Sequence, residues 1–205
     1  MRFFLKLGSY LFHPLWMPIV GCIFYFYLSP RFFPVSLVKA KILAISILTV
    51  FIPIVFFLLL KNLGLIKSLE IEKVKERRLP LLFFSLLILT TNNFIVDSEV
   101  FPELFYFFSG ILYACCAALF LSIIGYKLSL HMIGISGLLL FIINLSLLYS
   151  TNLGYWLALL IFALGWTAAS RLHAKAHTNT QLLVGILVGA LPQVALYLFY
   201  LKVAY

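Results

Sequence analysis

The 205 residues are 64% hydrophobic and 10% charged, with a net charge of +9 and a mean hydropathy of +1.15. A soluble domain carries about 25% charged residues, so this chain lacks the polar groups to cover a globular surface. A β-barrel is excluded too. Its strands read as ~10-residue segments of alternating polarity, whereas the apolar runs here are unbroken and approach the ~20 residues that let a helix cross hydrocarbon. The expectation is an all-α, polytopic transmembrane bundle forming a single membrane domain over 1–205.

Seven apolar segments follow one another. Residues 1–12 are read as an interfacial amphipathic helix ahead of the first span, at 15–33. Within that span Ile19-Val20-Gly21-Cys22 has the form of a lipoprotein cleavage site, but His13, Pro14 and Pro18 interrupt the apolar run before it, and the segment is read as an uncleaved span. Cys22, Cys115 and Cys116 all lie inside apolar runs and read as small hydrophobes. The second span, at 38–60, holds Pro53 as a kink; the third, at 79–96, runs into the polar stretch Asn92, Asn93, Asp97, Ser98 and Glu99. The fourth, fifth and sixth cover 102–125, 132–149 and 153–169. The seventh, at 181–201, carries Gly185 and Gly189 at the small-xxx-small spacing of close helix packing.

The connectors differ sharply. Between spans two and three, 61–78 holds six basic and three acidic residues; 126–131 contains Lys127, Ser129 and His131; 170–178 contains Arg171, His173, Lys175 and His177. All three are even-numbered and emerge on one side of the membrane, bringing three of the four histidines and nine of the fifteen Lys and Arg residues to that face. Ionisable residues at the ends of membrane segments mark functional sites by default. On a continuing helix, Arg171 and Lys175 share one face and His173 and His177 another, and His177 and Gln181 stand four apart, so that the amide can bond the imidazole. His13, beside Pro14, is read as interfacial.

Ser170-Arg171, five residues, then His177 reproduces the Ser-Arg-x5-His core of the third signature of the type-2 phosphatidic acid phosphatase superfamily. Leu128-Ser129-Leu130-His131 is similar to its second signature, Pro-Ser-Gly-His, and Lys73-Val74-Lys75-Glu76-Arg77-Arg78-Leu79-Pro80 resembles in type its first, Lys-x6-Arg-Pro, with altered spacing. The resemblance covers 73–181 and implies a divergent membrane phosphatase for lipid phosphates or pyrophosphates. By resemblance His177 is the nucleophile and His131 the general acid. Arg171, Ser129 and one or more of Lys73, Arg77 and Arg78 bind phosphate, where positioned positive charge does most of the work. Gln181 orients His177 in place of the family's Asp, and Leu130 replaces its Gly. An amide supplies no negative charge, so the alternative is a non-catalytic relative that binds or moves lipids or serves as a subunit of a membrane complex.

No cofactor, metal or nucleic acid is implied. The expected partners are phosphorylated membrane lipids, with further membrane proteins in the subunit case, and the expected location is a bacterial inner membrane. Counting Arg2 and Lys6, the site side carries eleven Lys and Arg against four opposite. The positive-inside rule alone puts that side in the cytoplasm, whereas relatives in the family often work on the outer face.

Overall fold

The computed structural model describes residues 2–68, 71 and 73–204; Glu70 and Glu72 of the basic connector and the side chains of Arg2 and Lys6 lie outside the described residues. Among the described residues there are α1 (Arg2–Leu11), α2 (Met17–Leu28), α3 (Val35–Ser46), α4 (Ile52–Asn62), α5 (Arg78–Thr90), α6 (Pro102–Ile123), α7 (Leu130–Leu148), α8 (Gly154–His173) and α9 (Asn179–Ala204). With short 3-10 and π-helical joins they make seven membrane-length apolar helices: the chain is an all-α polytopic bundle.

Proline and turn chemistry set the joins. Pro14 cannot donate and biases His13 to extended backbone, which separates α1 from α2. Pro53 leaves a carbonyl unclaimed in the preceding turn, and the expected kink takes the form of a π-turn over Ile47–Phe51, where the Ile52 amide bonds the Ile47 carbonyl. The helix read at 1–12 is α1. It docks along α8, with Ser9 against Ser170 and Phe12 edge-on to Trp166.

The most enclosed span is α7, half of it buried, and it packs against α9, α8 and α2. The glycines of the last span make the α7–α9 approach. A Cβ on Gly185 would meet the Ser129 carbonyl oxygen at 2.8 Å, and one on Gly189 would overlap the Ile133 carbonyl. Polar groups face inward between helices: Ser136 donates to the Ile186 carbonyl at 3.0 Å, Asn144 to the Gln193 carbonyl at 3.1 Å, and Gln193 to the Phe107 carbonyl at 3.1 Å. Cys22 is fully buried within α2. Large apolar side chains such as Val55, Phe120 and Phe162 point outward, where hydrocarbon replaces water as the solvent.

The two ends are built differently. At the odd-connector end, Glu103 in the first turn of α6 is paired with Arg31 at 2.9 Å and accepts hydroxyl hydrogens from Tyr25 and Tyr200 at 3.3 and 3.2 Å. At the other end the three basic connectors meet the α1–α2 join around one cavity.

Candidate functional site

The site is organised by the turn joining α8 to α9. The continuous helix expected through 171–177 stops at His173, because Lys175 takes a left-handed conformation with φ 51°. The Ala176 amide then bonds the Arg171 carbonyl at 3.1 Å and the Lys175 amide the Leu172 carbonyl at 2.9 Å, the paired bonds of a Schellman cap. Glycine normally fills that position; a side chain there costs about 1–2 kcal/mol. The turn therefore separates His173 from His177, and His177, Lys175 and Arg171 all line the cavity whereas His173 does not.

A capping box starts α9 four residues later. The Gln181 amide donates to Thr178 Oγ1 at 3.4 Å, and Gln181 Oε1 accepts the Thr178 amide at 3.3 Å. The same Oε1 lies 3.2 Å from His177 Nδ1. An oxygen already accepting a backbone hydrogen is an acceptor, so Nδ1 is the protonated nitrogen of His177 and Nε2 keeps the lone pair. His177 is pushed down from 6.5 to about 4, first by burial and then by the Arg77 charge; the Gln181 bond opposes this, and Arg171 and Lys127 add to it. Near neutral pH the ring is uncharged.

Cations surround it. Arg77 comes from the turn before α5 and fixes its guanidinium by donating to the Ile71 carbonyl at 3.0 Å and the Leu128 carbonyl at 2.7 Å. Arg171, from the last turn of α8, donates to Ser9 Oγ at 3.4 Å. Lys127 and Lys175 complete the cationic wall. All three connectors contribute, as their shared parity requires.

His131 stands on the first turn of α7 and also lines the cavity. Its Nε2 is 3.1 Å from the Ser9 carbonyl, so it carries the hydrogen, and its ring meets His13 edge-on at 5.2 Å. His13 is thus a wall residue, and Ser9 joins His131, Arg171 and Ser170. From sequence His13 is read only as interfacial and Ser9 is not singled out. The signal was present: the first span starts on the same side as the even connectors, and Ser9 and His13 are one helical turn apart.

The remaining site candidates, Ser129, Arg78, Lys73 and Gln181, lie outside the cavity wall, whereas Leu130 lines it. Ser129 is fully buried and caps α7, its hydroxyl accepting the Met132 amide at 3.4 Å. Arg78 donates to the Ser122 and Ile123 carbonyls at 3.1–3.2 Å, capping α6. Lys73 is exposed, 3.9 Å from Glu76. Gln181 stands behind His177.

The cavity measures about 560 Å³ and changes character with depth. Below the cations its wall is Phe84, Phe107, Ile111, Ala114, Ala118 and Leu138. Its lining is suited to a ligand that is anionic at one end and apolar over the rest. Comparison with protein-family models, curated proteins and solved structures finds no match to this chain.

Proposed function

We propose that the protein is an inner-membrane phosphatase that binds the phosphate of a lipid in this cavity and hydrolyses it through His177. The observation that carries the reading is a neutral histidine, its Nε2 lone pair reserved by the Gln181 bond, in a cavity walled by Arg77, Lys127, Arg171 and Lys175. Nε2 attacks phosphorus, the P–O bond to the lipid breaks, and the phosphoryl group stays on the ring. The cations bind the non-bridging oxygens. His131 carries its one hydrogen on Nε2, held by the Ser9 carbonyl, so to act as the acid it first takes a proton from water on Nδ1 and then gives that proton to the leaving alkoxide. Water then attacks the phosphohistidine, releasing inorganic phosphate and restoring the neutral ring.

A second reading keeps the binding and drops the chemistry. It is favoured by the uncharged Gln181 behind His177 and by Ser129 and Arg78, which serve as helix caps. One experiment separates the two. Purified protein is given a panel of lipid phosphates and pyrophosphates, and released phosphate is measured for wild type, His177→Ala and Arg171→Ala. The enzyme reading expects release that both substitutions remove. Vanadate should raise the melting temperature of wild type and not of Arg171→Ala, with Lys202→Ala as the unaffected control. Vanadate protection without release on any substrate supports the binding reading; release that persists in His177→Ala removes the assigned nucleophile.

A further inference from the structure

We infer that the cavity holds the tail of its ligand as well as the phosphate, and that the ligand is a lipid phosphate whose chain length is limited by Phe107 and Gln193. This rests on the phosphate reading above. One face of α6 supplies Phe107, Ile111, Ala114 and Ala118 at spacings of three and four. From Ala118 near the basic mouth down to Phe107, this face descends about 16 Å at 1.5 Å per residue, close to half of a ~30 Å hydrocarbon core. The cavity is therefore as deep as one leaflet, and a lipid whose phosphate sits among the cations has somewhere inside the bundle to put its tail.

Three features limit that tail. The lower end is closed by Phe107, which stacks on Phe141 at 4.1 Å, and by Gln193, whose amide is held by the Phe107 carbonyl. The α6 side of the lane is open where Ala114 and Ala118 line it: leucine in place of Ala114 would project into the middle of it. The depth sets the length: an extended chain advances roughly 1.3 Å per carbon, so a lane about 16 Å deep takes a chain of about a dozen carbons below the phosphate.

The test is a thermal-shift series in detergent, with n-alkyl phosphates from four to eighteen carbons and the matching n-alkanols, all at equal mole fraction in the micelle. Wild type should be stabilised increasingly up to about twelve carbons and less by longer chains, with dodecyl phosphate at least tenfold tighter than butyl phosphate. In Ala114→Leu the optimum should shorten to fewer than eight carbons. Ile111→Ala, which enlarges the lane, should keep or lengthen the optimum, and it decides the matter if Ala114→Leu does not fold. A length profile identical in wild type and the variant that folds, or octadecyl phosphate binding as well as dodecyl phosphate, overturns the inference. Alkanols matching the phosphates, with an intact length limit and no loss in Arg171→Ala, would instead leave the tail lane standing and remove the phosphate reading.

Discussion

The side-chain oxygen of Gln181 takes two hydrogens, one from the Thr178 amide at 3.3 Å and one from Nδ1 of His177 at 3.2 Å. A helix cap and the tautomer of a candidate nucleophile thus depend on one atom. Gln181→Glu keeps the side-chain length that the cap requires and adds the missing negative charge. If the protein hydrolyses lipid phosphates, this variant should turn over about 10-fold faster or more, as part of the carboxylate effect is recovered. Gln181→Leu should lose both the cap and the tautomer, falling in melting temperature and in activity. Steady-state kinetics with parallel thermal melts check both outcomes.

The depressed His177 predicts how stability depends on pH. Between pH 6.5 and 4 the unfolded chain protonates this imidazole while the folded protein does not. Stability therefore falls as pH drops through that window and is unaffected by His177 above it. The contribution is up to about 3 kcal/mol at the acid end. Melting curves at pH 7.5, 5.5 and 4 should show a smaller acid loss in His177→Asn than in wild type.

Much of this was legible in the sequence, for physical reasons. Hydrocarbon demands long apolar helices, so the spans stand out, and the parity of the connectors puts 61–78, 126–131 and 170–178 on one side of the membrane. The His177–Gln181 contact expected from four-residue spacing is present, but His177 precedes α9, and the capping box rather than a shared helix face brings the two together. What could not be read was whether a polar side chain serves the backbone or a ligand. Ser129 and Arg78 have the residue types of a phosphate site and satisfy helix ends instead. The break at Lys175 was hidden because a left-handed lysine has no sequence signature, whereas a glycine there would have announced the turn. Thr178-Asn179-Thr180-Gln181 did carry the capping-box pattern, and with it the start of α9.

Lys175 holds a conformation that glycine prefers while lining the cationic wall. Lys175→Gly should therefore preserve or raise stability, by about 1 kcal/mol at most, while weakening vanadate or alkyl phosphate binding several-fold. Thermal melts with and without ligand measure the two effects separately. A loss of stability in this variant would mean that the lysine side chain holds the turn.

At the opposite end, Arg31 and the two tyrosines neutralise and satisfy Glu103. Arg31→Met leaves a buried carboxylate without its cation and should cost about 2–3 kcal/mol. Adding Glu103→Gln should restore part of that loss, since the remaining group is neutral. A double-mutant cycle on unfolding free energy gives the coupling, and strict additivity would mean that the pair contributes nothing of its own.

The order of the parts along the chain has a consequence for biosynthesis. Arg77, Lys127, His131 and Arg171 are all translated before His177, and the oxygen that sets the His177 tautomer comes later still, at the first turn of α9. A chain halted after α8 already has three of its four wall cations, Arg77, Lys127 and Arg171, but no oriented imidazole. On the phosphatase reading the nucleophile is oriented only as the final helix packs against α6 and α7, so a nascent protein would not act on a lipid phosphate before its fold is closed.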